Sequence, residues 1–342
     1  MRLIFVGFGT VGQGLAELLI EKKDLLSSMY GLEPVVVGIS DEMKGSALNP
    51  EGIDLVEALG LVKAEKLLCD MDVGKYDRSA LDMVRDADAD VMLEATYTNI
   101  KTGEPATSHI NAALEKGLHV VTTNKGPLAL HYHELAQKAE TKGVQFLFEG
   151  TVMSGTPLIN LLRETLAGSA IKEIRGILNG TTNYILTRME EGLSYGDALK
   201  KAQELGYAEA VPDADVLGWD ALAKVTILAK VVYGAKVNPF DYPCQGITEI
   251  TATAIEEAKG RGKRFKLIGK VWSEGGIAKA SVAPEEVDVS HPLASVMGAT
   301  NAVTITTDTL GEVTIVGPGA GRKETGYSML IDLIKIASAK KM

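Results

Sequence analysis

Apolar and polar positions follow two rhythms along this chain. Over the first 150 residues, short β-branched runs alternate with longer stretches of helical period. Leu3–Val6 predicts a strand, Val11 to about Leu26 a helix, and Val35–Ile39 a second strand. A helix around Ala80–Arg85 precedes a strand at Val91–Glu94. Pro105–Lys116 reads as a helix stopped by Gly117, and Leu118–Val121 as a strand. Pro127–Lys142 follows as a helix stopped by Gly143, then Val144–Phe148 as a strand. The period is weak over Asp41–Lys75. Strand–helix alternation of this kind needs parallel crossovers and predicts a doubly wound parallel sheet.

After about Glu149 the rhythm changes. Helical stretches at Gly155–Leu166, Thr181–Gly192 and Tyr195–Leu205 are interrupted by one strand, Ile171–Leu178, and a helix runs from near Gly218 to about Tyr233. Phe265–Trp272, Ile277–Val282, Ala302–Thr306 and Val313–Val316 predict strands, the last two joined across Thr309–Gly311. The segment Glu324–Lys340 predicts a helix. A mixed α+β second domain is expected, with no repeat and no linker between it and the first.

Composition narrows the function classes. The 342 residues are 46% apolar and 23% charged, which suits a globular chain and excludes a disordered or collagen-like one. With 45 acids against 35 bases, the net charge of -10 repels phosphate backbones and anionic lipids, so neither nucleic acid nor membrane is an expected partner. Two cysteines, Cys69 and Cys244, are too few for a disulfide framework. No apolar run approaches the roughly 18 residues of a membrane span, and the N-terminus enters a strand with no leader pattern. A soluble, cytoplasmic protein is expected.

Gly7-Phe8-Gly9-Thr10-Val11-Gly12 is a GxGxxG sequence. With 36 glycines in the chain, the sequence alone means little, but this one leaves a strand and opens a helix. The first glycine permits a tight turn, the second a close approach to a pyrophosphate, and the third helix–strand packing. The helix N-terminus offers amides to the phosphates. The expected fold class is therefore α/β, an N-terminal Rossmann-type domain binding NAD or NADP followed by the α+β domain. Asp41 ends the second strand, further from Gly12 than the usual ~20 residues. An acid there bonds the ribose 2′-hydroxyl of NAD, but Asp41 equally suits capping the segment after it, and Lys44 is nearby. Both nicotinamides stay open.

The densest chemistry lies at Leu205-Gly206-Tyr207-Ala208-Glu209, Pro212-Asp213-Ala214-Asp215 and Gly218-Trp219-Asp220-Ala221-Leu222-Ala223-Lys224. Asp220 and Lys224 are four apart on an expected helix and share a face. On a surface such a pair is worth about 0.3–0.5 kcal/mol. The helix continues as the apolar Val225–Ala229, which argues for burial, and burial moves a lysine towards acid–base work near neutrality. Glu209, Asp213 and Asp215 are candidates to gather around a small cationic substrate.

Together with Thr122-Thr123-Asn124-Lys125-Gly126-Pro127, Asn179-Gly180-Thr181-Thr182-Asn183-Tyr184 and Gly317-Pro318-Gly319-Ala320-Gly321, these motifs resemble the homoserine dehydrogenase family over almost the whole chain. The resemblance implies NAD(P)H-dependent reduction of L-aspartate 4-semialdehyde to L-homoserine, on the route to threonine, methionine and isoleucine. It implies that Lys224 is the acid–base lysine and Lys125 its partner, that Glu209 and Asp220 hold the substrate ammonium, and that Asp215 sits at the hydroxyl end. Thr182 is implied at the substrate carboxylate, with Thr181 as the exchangeable alternative. Beside Gly7, Gly9, Thr10, Val11 and Gly12, the implied cofactor contacts are Thr96, Lys125, Gly206 and Gly321. Glu149, Val152, Ser154 and Thr156 match a monovalent-cation site (Na+ or K+) built largely from backbone carbonyls. The implied domains are residues 1–150 for NAD(P), completed by a C-terminal helix at about 318–342, and residues 151–317 for substrate binding, catalysis and dimerisation. A short form without a C-terminal regulatory domain is expected.

The alternatives are another Rossmann dehydrogenase of a small amino acid or semialdehyde, and a non-catalytic NAD(P)-sensing module. A sensor has no use for two proton-transfer lysines. No histidine has a metal-like spacing with cysteine, and Arg261–Lys266 reads as a solvated basic turn. Exposed strand edges at Ala302–Thr306 and Val313–Val316 predict a homodimer through the second domain.

Overall fold

The structure, a computed structural model, describes residues 1–71 and 74–339. The chain divides into two compact units, Met1–Pro157 joined by the segment from Gly321 onwards, and Leu158–Ala320.

The first unit is built on six strands, β1 (Arg2–Val6), β2 (Val35–Asp41), β3 (Gly45–Leu48), β4 (Val91–Glu94), β5 (His119–Thr122) and β6 (Phe146–Leu147). Their order is β3-β2-β1-β4-β5-β6. All neighbours pair in parallel except β2 and β3. Residues 3–6 of β1 and all of β4 are buried, as in a sheet covered on both faces. This is the doubly wound sheet that the strand–helix rhythm predicts.

Gly117 and Gly143 do end their helices, Ala106–Lys116 and Lys125–Lys142, in the left-handed region that a helix stop needs. The weakly periodic stretch holds β3, the helix Leu55–Lys63 and a short turn at Leu68–Asp70. A four-residue edge strand is too short to set up an alternation. Residues 72–73 of that stretch, and Lys340 at the end of the expected last helix, lie outside the described residues. The last helix, Arg322–Ala339, packs on Thr10–Glu21 through glycines on both sides. A Cβ on Gly14 would stand 2.0 Å from the Arg322 carbonyl oxygen, and one on Gly326 2.5 Å from the Leu15 nitrogen.

The second unit holds β7 (Ile171–Ile177), β8 (Lys263–Glu274), β9 (Ile277–Asp288), β10 (Thr300–Thr307) and β11 (Glu312–Pro318). They form one antiparallel sheet in the order β11-β10-β7-β8-β9. The helices Gly180–Glu190, Trp219–Tyr233 and Ala252–Gly260 pack against it. A hydrophobic cluster that includes Ile177, Ile268, Leu293, Val296 and Ala302 lies in the core of this unit.

Four expectations need correction. Gly155–Leu166 turns helical only from Ile159 and runs into a π-type turn at Leu161–Thr165, because Gly155 and Pro157 interrupt the period. A Cβ on Gly155 would meet the Glu324 carbonyl at 2.3 Å. The strand expected at Ile277–Val282 runs on through Pro284, which an edge strand tolerates. The Ala302–Thr306 segment is interior, with β7 on one side and β11 on the other, so only β11 of that pair is an edge.

Fourth, Arg261–Lys266 is not a solvated turn. Lys266 is 1% exposed, and its Nζ donates to Val296 O at 2.5 Å and to Asn183 Oδ1 at 3.0 Å. Burial brings its pKa down to about 8, with Arg264 pushing the same way and Glu190 opposing. An unfolded lysine keeps its proton to about pH 10.4. Between these values the unfolded state binds more protons, so the contribution of Lys266 to stability rises with pH. In urea unfolding, wild type should therefore gain stability relative to Lys266→Met between about pH 8 and 10. A difference constant over that range would show that the ammonium is not desolvated.

Candidate active site

In the first unit the chain leaves β1 and β4 in opposite directions, which opens a crevice at their C-terminal ends. The glycine loop lies there, and its three glycines have three separate reasons. Gly7 has φ 95°, and a Cβ on it would meet the Ala95 backbone at 2.5 Å. A Cβ on Gly12 would stand 2.6 Å from Gly7 O, so helix and strand pack directly. Around Gly9 a Cβ would meet nothing within 4 Å, which leaves room for a ligand against the backbone. No side chain caps the helix Thr10–Glu21, and Thr10 is exposed with Val11 half-buried. Open space at Gly9 beside an uncapped helix start fits the pyrophosphate of a dinucleotide.

Asp41 serves the loop and caps the turn after β2. Its Oδ2 accepts the Phe8 N–H at 2.8 Å, and its Oδ1 accepts Met43 N–H and Lys44 N–H at 3.0 Å each. Lys44 Nζ stands 3.4 Å away as an ion pair. Thr96 follows β4, half-buried, and its N–H donates to Glu94 Oε1 at 3.1 Å. Lys125 is half-buried as the first residue of Lys125–Lys142. That helix starts two residues before the expected Pro127 because Asn124 caps it, its Oδ1 accepting Gly126 N–H at 3.2 Å.

Glu149, Val152, Ser154 and Thr156 lie together in one buried loop after β6. Met153 and Ser154 have φ of 62° and 54°, two consecutive left-handed residues without glycine. Glu149 N–H donates to Asp332 Oδ2 at 3.0 Å, and the hydroxyls of Ser154 and Thr325 are 2.7 Å apart. Gly321 opens the Arg322–Ala339 helix with φ 140°, where a Cβ would strike the Glu324 carboxylate at 2.1 Å.

In the second unit, Asp220 and Lys224 lie on consecutive turns of Trp219–Tyr233 with Lys224 Nζ donating to Asp220 Oδ2 at 2.7 Å. The Nζ also donates to Leu178 O, just past β7, at 2.6 Å. Lys224 is 7% exposed, so a solvated surface pair is excluded. Asn179, the cap of Gly180–Glu190, donates its Nδ2 to Asp215 Oδ1 at 2.7 Å and to Asp220 Oδ2 at 3.0 Å. Its own Oδ1 accepts Thr182 N–H at 2.9 Å and the Thr182 hydroxyl at 3.0 Å. Burial raises the Asp215 pKa, the Asp220 charge raises it further, and Asn179 and Lys224 oppose both. The result is a desolvated ammonium and two carboxylates joined by one amide.

Two expected contacts stand apart from this cluster. Glu209 is exposed, and its carbonyl accepts Gln203 Nε2–H at 3.1 Å. Gly206 has φ 74° and stops the helix Tyr195–Glu204, its N–H bonding Gln203 O at 3.0 Å. The Thr181 hydroxyl ties this segment down through Tyr207 O at 2.6 Å. Thr182 is fully buried with its hydroxyl directed at Asn179. The residue that sequence reasoning left without a role is Asn179. An asparagine before a helical stretch signals a cap, but nothing local shows that its amide also joins two aspartates.

Comparison with known proteins gives the same answer along the whole chain. The family model for homoserine dehydrogenase matches residues 157–334, and that for the homoserine dehydrogenase NAD binding domain matches residues 7–149. The chain is 45% identical over 336 residues to an NAD(+)-dependent homoserine dehydrogenase of Pseudomonas canavaninivorans, covering 98% of this chain and 96% of that one. It is 43% identical to a homoserine dehydrogenase of Methanocaldococcus jannaschii, with 100% of each covered. A solved structure of a hyperthermophilic archaeal homoserine dehydrogenase in complex with NADPH superposes with TM-score 0.85 at 34% identity, over 100% of this chain and 98% of that one.

Proposed function

The chain belongs to the homoserine dehydrogenase family, and we propose that Lys224 is the general acid of its reaction, the reduction of L-aspartate 4-semialdehyde to L-homoserine. The protein is an NAD(P)-dependent oxidoreductase of amino-acid biosynthesis. Bound NAD(P)H supplies the hydride. The aldehyde oxygen then becomes an alkoxide that needs a proton, and the Lys224 ammonium donates it. The observation that carries this role is the burial of Lys224 between the Asp220 carboxylate and the Leu178 carbonyl. Lys125, the first residue of the Lys125–Lys142 helix, is the second lysine of this reading.

Asp220 and Glu209 receive the substrate ammonium, and Asp215 stands at the hydroxyl end. Thr182, with Thr181 as the exchangeable alternative, stands at the substrate carboxylate, both at the start of the Gly180–Glu190 helix. Gly7, Gly9, Thr10, Val11 and Gly12 hold the pyrophosphate, with Thr96, Lys125, Gly206 and Gly321 as further cofactor contacts. In this reading residues 1–150 with the C-terminal helix form the cofactor domain, and residues 151–317 the substrate and dimerisation domain. The loop of Glu149, Val152, Ser154 and Thr156 takes Na+ or K+ through backbone carbonyls. The left-handed pair Met153–Ser154 supports this, because it turns successive peptide groups within a buried loop. Free Cys69 and Cys244 suit a cytoplasmic enzyme.

The homodimer forms through the antiparallel sheet of the second unit. Its β9 edge is met at Val282 by the Pro243–Gln245 segment, whereas β11 is an edge with Val316 55% exposed. Sedimentation at micromolar concentration should give the mass of two chains. A monomer there would contradict the proposal.

Aspartate semialdehyde should consume both NADH and NADPH, followed by loss of the nicotinamide absorbance. The Asp41 carboxylate, anchored by three backbone amides, repels a ribose 2′-phosphate, so kcat/KM should favour NADH by about tenfold or more. A preference for NADPH would contradict the role of Asp41, and no turnover with either would contradict the function.

A further inference from the structure

At the end of β4 lies a carboxylate that the mechanism above does not use. Glu94 is 0% exposed, and among the described residues no lysine or arginine pairs with it. Its Oε1 accepts the Thr96 N–H at 3.1 Å and the Thr96 hydroxyl in a short hydrogen bond. Its Oε2 accepts the Thr122 hydroxyl at 3.0 Å. Thr122 Oγ1 in turn accepts the Asn124 N–H at 3.0 Å. Asn124 closes the ring by donating Nδ2 to Thr96 O at 3.3 Å and to Tyr97 O at 3.0 Å. The same Asn124 caps the helix that begins with Lys125.

The Glu94 carboxylate accepts from both threonine hydroxyls, which sets the direction of the hydroxyl bonds in this ring. The Thr122 proton points to Glu94, which frees a Thr122 lone pair for the Asn124 N–H. The Thr96 proton also points to Glu94, so Thr96 Oγ1 has only lone pairs to offer, and one of them faces Asn124 Nδ2 at 3.5 Å. One buried acid thereby fixes both the exit of β4 and the start of the Lys125 helix.

We infer that Glu94 is a positioning residue for the nicotinamide half of the dinucleotide: it holds the Thr96–Tyr97 backbone and the Lys125 helix start in their binding geometry and keeps Thr96 Oγ1 an acceptor. This rests on the reading of Thr96 and Lys125 as cofactor contacts. The glycine loop, which takes the pyrophosphate, lies outside the hydrogen-bonded ring. Loss of Glu94 should therefore weaken one half of the ligand and spare the other.

The test compares full-length wild type, Glu94→Gln and Glu94→Asp, titrated with NADH and separately with ADP-ribose, which lacks the nicotinamide. In Glu94→Gln the amide NH2 must face one of three donors, and the ring loosens. NADH affinity should fall about tenfold, with ADP-ribose affinity within about twofold of wild type. Glu94→Asp keeps the charge and should recover part of the loss. Thr122→Val breaks the ring elsewhere and should shift NADH affinity in the same direction, which serves if the Glu94 variants fold poorly. Equal losses for both ligands, or none in any variant at matched folded concentration, would overturn the inference. The underlying reading has its own control: if Thr96→Val and Lys125→Ala both bound NADH like wild type, the reading would fall and the inference with it.

Discussion

A lysine ammonium cannot be taken out of water without acceptors, and Lys224 has two, the Asp220 carboxylate and the Leu178 carbonyl. That requirement fixes much of the second unit. Trp219–Tyr233 must lie with its first two turns against the end of β7, and the chain must leave β7 so that the Leu178 carbonyl points at the helix. Asn179 comes next. It starts the following helix and joins Asp220 to Asp215, so its one side chain ties three separate stretches together. On the proposed function, an amino-acid substrate brings its own ammonium to this cluster, where Asp220 receives it and Lys224 donates the proton.

The first unit solves a different problem, the approach of a dianionic pyrophosphate to backbone. Its means are absence and direction: no side chain at Gly9, no cap on the helix after it, and Asp41 holding the Phe8 amide. Around the corner, Glu94 and Asn124 do for Thr96 and Lys125 what Asn179 does for Asp215 and Asp220. In both units a buried polar residue with several bonds orients candidate ligand groups, and in both the orienting residues stand at or just past a strand end.

Local patterns were readable in the sequence, and distant pairings were not. The strand–helix alternation of residues 1–150 and the glycine stops at Gly117 and Gly143 are set within a few residues. So is the shared face of Asp220 and Lys224, and the apolar run after Lys224 pointed to its burial. Asn179 meets Asp215 and Asp220 across 36 and 41 positions, and no periodicity reports such a contact. Lys266 looked like part of a basic turn because Arg261, Lys263 and Arg264 precede it, yet its acceptors come from Asn183 and Val296. Glu94 closes the apolar run Val91–Leu93 as any strand end does; its donors arrive from Thr96 and Thr122. Gly155–Leu166 carries a helical period, but Gly155 is claimed by the Glu324 carbonyl 169 residues later. The strand order β11-β10-β7-β8-β9 likewise depends on β10 returning to β7 from the far end of the unit.

The central claim is that the buried Lys224 ammonium donates the proton. Single-turnover hydride transfer in Lys224→Ala, at a concentration of folded, cofactor-saturated protein matched to wild type, tests it most directly. The rate should fall by about 10²–10⁴, the usual worth of a positioned general acid, while cofactor affinity stays near that of wild type. A rate within a few-fold of wild type would exclude Lys224 as the acid and make the Asp220–Lys224 pair a structural one.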